Sequence, residues 1–306
     1  MKSALILKNI FRKLSPVDLL NMAFLVILSG LFLVSASRTP YRGILPVIFL
    51  LILSFILVMI FLRLHLMHVM TRRLVMFIYP VISLFVFFES FYMLLPYFNP
   101  IRYDAQLESI DRWLFGVSPS LAMAQWTNPL LTEILYICYA LYFPMPLIVL
   151  GVMLKRAEFL KIEQALVIFL TCYYAAYLTY FFVPAEGPRY FLQNFFGSEP
   201  TGIYLAGPIR KIINMLEPNK LDVFPSLHMA ILVITMHTAF KHTRRLFYFF
   251  LPVAIGIALS LTWCRYHYII DALAGIIFAI AAILIGTYIY PRWRKYFTDH
   301  FGENRE

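Results

Sequence analysis

Charge is scarce in this sequence. Only 14% of its 306 residues are Asp, Glu, Lys or Arg, whereas 61% are hydrophobic and the mean hydropathy is +0.77. That balance excludes an ordinary soluble domain. Cysteine is scarcer still. Cys138, Cys172 and Cys264 lie inside apolar runs or at the end of one. An odd number placed this way argues against a disulfide framework, and the three read as small hydrophobes. The alternating short strands of a transmembrane barrel are missing, as are tandem repeats and low-complexity segments. The start, Met1 to Leu14, is basic and modestly amphipathic but has no small-residue cleavage site. It reads as an interfacial lead-in and not as a cleaved signal.

What is there instead is apolar sequence in runs of about 20 residues, the length a bilayer core demands. The pattern predicts an all-α polytopic membrane protein with spans near 17–36, 43–63, 74–95, 129–153, 163–183, 225–241, 246–263 and 268–290. Two long connections interrupt them. In 96–128, Leu107, Ile110 and Leu114 recur at helical spacing, which predicts a short helix lying in the interface with Trp113 and Trp126 at headgroup depth. The other, 184–224, is rich in Pro and Gly, which disfavours continuous helix. Loops of this length often carry function.

The net charge of +10 does not point to nucleic acid, because the basic residues are dispersed between spans, where they set topology. With eight spans, most of the 26 Lys and Arg fall on the side of the two termini and of the short loops after spans two, four and six. The positive-inside rule then places both termini in the cytoplasm. Three short segments fall on the opposite side, facing periplasm, cell exterior or organelle lumen. They are Gly187-Pro188-Arg189-Tyr190, Phe224-Pro225-Ser226-Leu227-His228 and His267-Tyr268-Ile269-Ile270-Asp271.

Ionisable groups at span ends are costly and usually functional. His267 and Asp271 are four apart, so one helix face brings carboxylate to imidazole. That suits an activated nucleophile, and equally a polar pair at a helix end. His228 opens a span after Pro225 and Ser226, where free backbone N–H groups and the Ser226 hydroxyl make an anion site and the imidazole can protonate a leaving oxygen. Arg189 carries a planar fork suited to phosphate. Arg265 is either a second phosphate cation or a lipid-headgroup contact. A metal held by His228, His267 and Asp271 would be repelled by these arginines. Tyr136, Tyr139, Tyr142, Tyr173, Tyr174, Tyr177 and Tyr180 read mostly as packing residues.

In order and spacing the three segments resemble the signatures of the type 2 phosphatidic acid phosphatase superfamily: an arginine segment, Pro-Ser-x-His and His-x3-Asp. Tyr268, and Ala274-Gly275 after the aspartate, also fit. The resemblance covers roughly 74–291. It implies a six-helix catalytic core there, preceded by an N-terminal segment with two extra transmembrane helices (1–73) and followed by a cytoplasmic tail (292–306). Three positions depart from the phosphatase pattern. Phe182 stands where a lysine precedes the arginine, Leu227 replaces a glycine, and Leu261 stands where an arginine precedes the histidine. These departures resemble the inositolphosphotransferase branch, typified by inositol phosphorylceramide synthases. Bacterial relatives of that branch also resemble the stretch around Ile110-Asp111-Arg112-Trp113-Leu114-Phe115-Gly116.

By position, the resemblance implies that His267 is the nucleophile and forms a phosphohistidine, that Asp271 orients it, and that His228 is acid and then base. It implies that Arg189 binds phosphate, with Ser226, Arg265 and Tyr190 as further phosphate-side residues. No metal or other cofactor is implied. The expected partners are a phospholipid donor and a lipid-alcohol acceptor, possible rivals being water as acceptor or a lipid-binding or transport protein on the same scaffold.

Overall fold

The computed structural model describes residues 14–65, 68–126, 128–216 and 220–301. The basic lead-in before Leu14 and the last residues of the tail, 302–306, lie outside the described residues. Among those described, the structure is helical, with one isolated parallel bridge, Ala185 to Asp222. The helices are α1 (Pro16–Ser35), α2 (Leu45–His65), α3 (Val69–Tyr92), α4 (Leu95–Phe98), α5 (Asp104–Phe115), α6 (Pro119–Ala124), α7 (Pro129–Leu141) and α8 (Pro144–Lys155). They continue with α9 (Phe159–Phe182), α10 (Pro188–Phe191), α11 (Ala206–Leu216), α12 (Leu227–His242), α13 (Arg244–Trp263), α14 (Ile269–Leu284) and α15 (Tyr290–Phe301).

Every expected span falls on a helix. Among the described residues, five stretches are long and apolar enough to cross a bilayer: α1, α2, α9, α13 and the run Ile269–Tyr296. The chain is thus an all-α polytopic membrane protein. Three expected spans differ in detail. The run at 129–153 is two helices, α7 and α8, bent by 43° at the break before Pro144. A proline cannot donate to the preceding turn and its ring crowds that turn's carbonyl. The expected 74–95 is α3, which runs Val69–Tyr92 and carries Arg72 and Arg73 ahead of its apolar residues. The third, α12, is only 16 residues long.

The chain divides into two compact units. One comprises the chain up to Phe98, Glu158–Tyr174 and the chain from Ala282. Its first helix starts with a capping box, in which Ser15 Oγ accepts from Asp18 N–H at 3.1 Å and Asp18 accepts from Ser15 N–H at 2.6 Å. Several polar groups buried in this unit are paired, although Ser83 Oγ finds no partner among the described residues. The Tyr79 hydroxyl donates to Asp18, and Tyr174 donates to Asn21 Oδ1 at 2.7 Å while its ring stacks on Phe24 at 4.1 Å. The π turn at Ile285–Ile289 leaves Gly286 without a normal helical partner, and Gln164 Nε2 donates to its carbonyl at 2.8 Å.

The second unit, Asn99–Ala157 and Ala175–Ala281, contains all three segments singled out above. Helix α13 approaches α7 at Gly256, where an added Cβ would lie 2.4 Å from Cys138 Sγ, and Trp263 Nε1 donates to Thr132 Oγ1 at 3.0 Å. The connection at 184–224 is broken, as its prolines and glycines require, yet it holds the 11-residue amphipathic helix α11. That helix starts on a distant acid. Glu133 of α7 accepts the N–H groups of Ile203, Tyr204, Leu205 and Ala206, donors that a helix start would otherwise leave orphaned.

Helix α5 exists where the Leu107, Ile110 and Leu114 spacing predicts it, but it buries a different face. Leu107 is buried, whereas Ile110 and Leu114 are exposed, and the inward residues beside Leu107 are Asp104, Glu108 and Asp111. Hydrogen bonding explains this. Asp104 accepts from Glu186 N–H at 3.0 Å, Gly187 N–H at 2.8 Å and Tyr268 O–H at 3.1 Å. Asp111 accepts from Ile269 N–H and Ile270 N–H, each at 2.8 Å, and so caps α14.

Candidate active site

Backbone contacts bring the three segments together. Ala185 and Asp222 pair in the isolated bridge, which joins the first to the second. Arg189 N–H donates to the Arg265 carbonyl at 2.9 Å, linking the first to the third, and Ser226 N–H donates to the Asp271 carbonyl at 3.0 Å, linking the second to the third. Two glycines permit this closeness. Gly187 has φ +84°, and an added Cβ would sit 2.6 Å from the Tyr266 carbonyl oxygen. At Gly275 a Cβ would meet the Ser226 carbonyl at 2.4 Å. Leu107 packs with Ala185, Val223 and Tyr268, so one side chain from each region meets beneath the site.

Above that cluster the two histidines converge. Nδ1 of His228, on the first turn of α12, lies 3.2 Å from Nε2 of His267. The far nitrogen of His267 faces acceptors only: the Val223 carbonyl at 3.1 Å and Asp271 Oδ2 at 3.5 Å. Nδ1 of His267 therefore carries the proton, and Nε2 presents a lone pair that accepts from His228 Nδ1–H. Asp271 is fully buried, and its Oδ2 also accepts Tyr268 N–H at 2.9 Å. The closer partner of His267 is thus the carbonyl, with the carboxylate behind it. Burial lowers the His267 pKa well below the ordinary range, and the neighbouring His228 adds to the effect.

These histidines border a cavity also lined by Arg189, Tyr190, Asn214, Lys220, Tyr139 and Tyr266. Arg189 sits on the single turn α10, begun by Pro188. Its guanidinium donates to Asn214 Oδ1 of α11 at 2.7 Å and lies 5.5 Å from the Tyr266 ring centroid. Lys220 Nζ lies 4.5 Å from the centroid of Tyr190. The lining thus places two cations beside the histidine pair, together with two carboxylates, Asp222 and a Glu186 that lies 3.6 Å from Arg102.

Of the residues the sequence singled out, the structure brings His228, His267, Arg189 and Tyr190 to this cavity and places Asp271 directly behind it. Ser226 is completely buried, and its hydroxyl is used as the cap of α12, accepting Met229 N–H at 3.3 Å. Arg265 lines a different cavity and holds its guanidinium 3.8 Å over Phe196. Its backbone has φ +64°, in the left-handed region.

Other residues of the lining, Glu186, Asp222 and Val223 among them, lie outside the set that the sequence singles out. Tyr139 was counted among packing residues, yet its hydroxyl lies 2.8 Å from His228 Nε2. Asn214, Lys220 and Tyr266 carry no local motif. A signal did exist for Asp104 and Asp111, since acids at i, i+4 and i+7 share one helix face.

The fold defines a polytopic helical membrane protein with a histidine pair and cations around one cavity. The sequence model of the PAP2 superfamily matches residues 105–285, and the chain belongs to that superfamily. Membership supports a lipid phosphoryl reaction of the phosphatase or phosphotransferase type. No curated protein and no solved structure matches the chain.

Proposed function

We propose that the protein is a membrane-embedded lipid phosphotransferase that works through a phosphohistidine on His267. The observation that carries this reading is the 3.2 Å approach of His267 Nε2 to His228 in a cavity that also presents Arg189. His267 Nε2 attacks the phosphorus of a phospholipid. The P–O bond to the leaving alcohol breaks, and that oxygen takes a proton from His228, which serves this step as the general acid. A lipid hydroxyl then gives its proton to the now neutral His228. Its oxygen attacks phosphorus, and the N–P bond breaks with its electron pair returning to Nε2. The Val223 carbonyl and Asp271 hold the Nδ1 proton throughout. Arg189 and Lys220 draw charge from the phosphoryl oxygens.

The unit moved is a headgroup phosphate, inositol-phosphate-like, and the acceptor a ceramide-like alcohol, as the resemblance to the inositolphosphotransferase branch suggests. Two positions support that branch over plain hydrolysis. Phe182 is 58% exposed and Leu261 fully buried, and neither side chain can bind phosphate. The rival is hydrolysis of a lipid phosphate with water as acceptor, which superfamily membership equally accommodates. The dispersed Lys and Arg support cytoplasmic termini and a site on the opposite face, with the catalytic core at 74–291.

Incubating purified protein with headgroup-labelled phospholipid, with and without a lipid alcohol, separates the readings. Labelled lipid that forms only with the alcohol supports transfer. Water-soluble label alone makes the protein a hydrolase, and no product at all makes it a binding or transport protein on this scaffold.

Tyr139 gives a smaller test of the same machinery. Its hydroxyl can donate to or accept from His228 Nε2, so it fits both protonation states of that ring. Tyr139→Phe keeps the ring packing and removes one hydrogen bond of about 1 kcal/mol, so kcat is expected to fall about fivefold with KM little changed. Steady-state kinetics on the labelled donor checks this, and an unchanged kcat removes Tyr139 from the relay.

A further inference from the structure

Arg265 lies beside the third segment, but its side chain belongs to a second cavity, bordered by Trp126, Asn128, Thr132, Glu199 and Trp263. The residue is only 7% exposed, and its Nε finds no hydrogen-bond acceptor among the described residues. A buried cation with an open donor is costly unless an anion answers it. Other donors share the cavity. Asn128 uses its carbonyl to accept Leu131 N–H at 2.9 Å, which leaves the amide N–H groups. Thr132 accepts from Trp263, which leaves its own O–H. The one carboxylate, Glu199, pairs with Arg210; its charge also acts on Arg265, but it does not fill the open Nε donor. Trp126, 76% exposed, and Trp263 supply an apolar flank. An acceptor-rich anion with an apolar or glyceryl side fits this set, and guanidinium favours the planar two-oxygen grip of a phosphate.

We propose that this cavity is a second phosphate site, separate from the histidine cavity, which binds a phosphate ester or free phosphate through Arg265, Asn128 and Thr132. One peptide joins the two sites, because the Arg265 carbonyl holds the Arg189 N–H at 2.9 Å. The proposal does not depend on transfer chemistry.

The test uses full-length His267→Ala protein in detergent, so that no turnover intervenes. Dihexanoyl phosphatidic acid and inorganic phosphate are titrated separately while indole fluorescence is followed. A saturable change is expected that Trp263→Phe removes. Arg265→Gln should weaken binding about tenfold or more, as loss of a charge-assisted bidentate contact implies, while Arg189→Gln leaves it unchanged. Tighter binding of the lipid identifies a headgroup as the source of the phosphate; equal binding identifies the free ion. No saturable change, or a Kd unaffected by Arg265→Gln, overturns the proposal, as does a signal that Arg189→Gln abolishes. Should Arg265→Gln fail to give a cooperative melt, Arg265→Lys decides, because it keeps the charge and loses the fork. Parental affinity in that variant also overturns the proposal. Binding that survives in His267→Ala while the transfer assay yields no product separates the failure of one reading from that of the other.

Discussion

His267→Ala is expected to lower turnover by about four orders of magnitude or more, the scale seen when a covalent nucleophile is deleted, and to leave no acid-labile label on the protein. The geometry makes this residue hard to replace. Its Nδ1 is committed to Val223 and Asp271, so Nε2 is the nitrogen of His267 left to attack, once it exchanges the His228 contact for phosphorus. His228→Ala should behave differently. It retains the nucleophile, so a phosphodiester whose leaving group needs no proton, such as a nitrophenyl ester, should still label the enzyme, whereas the phospholipid donor should not. Equal labelling of the parent and His267→Ala would remove the phosphohistidine from the mechanism.

The same residue predicts a pH dependence. Burial first, and the neighbouring His228 second, hold the His267 pKa well below the ordinary histidine value of 6.5. The neutral nucleophile therefore persists into acid, and label formation should lose nothing to protonation of His267 until the pH is well below 6.5. Stability carries the corresponding sign. Below the unfolded-state value the unfolded chain binds a proton that the folded protein refuses. The contribution of His267 is thus complete above about pH 6.5 and is lost as pH falls from there towards the folded-state value.

The order of the three segments singles out the two histidines, Asp271 and Arg189, each at a span end where a polar group has few structural reasons to be, and the structure gathers them at or directly behind one cavity. The surroundings were less legible for identifiable reasons. Tyr139 looks like its tyrosine neighbours until α7 is packed against the start of α12. The break before Pro144 is visible as a residue but hidden inside an apolar run long enough for a single span. In α5, apolar spacing located the helix and misjudged its buried face. Periodicity assumes that burial follows hydrophobicity, whereas here unpaired N–H groups of two distant segments draw Asp104 and Asp111 inward. Sequence also places Ser226 and Arg265 near the histidines without showing which way they point; a cap claims one, and the other lines a separate cavity over Phe196.

Asp104 carries the second large expectation. Its carboxylate accepts from two consecutive backbone N–H groups, Glu186 and Gly187, and from Tyr268 O–H. It therefore ties the turn that aims Arg189 to the residue following His267. Asp104→Ala would leave these donors unanswered, and each buried one costs about 1–3 kcal/mol. A loss of about 3 kcal/mol in stability is expected, with a melting point several degrees lower. Activity should fall further than the residual folded fraction explains, because Asp104 holds both backbone N–H groups of the turn that aims Arg189. Asp104→Asn separates position from charge. It keeps one acceptor and the shape, so it should recover much of the melting point. It cannot accept from all three donors, so kcat/KM should stay about tenfold or more below the parent, the loss of one to two charge-assisted bonds. The residue acts through Arg189 and His267 and touches no substrate, so the deficit should be carried by both kcat and KM. Parental kinetics in Asp104→Ala would show that the buried bridge of Ala185 to Asp222 and the Arg189 to Arg265 bond suffice to hold the segments in register.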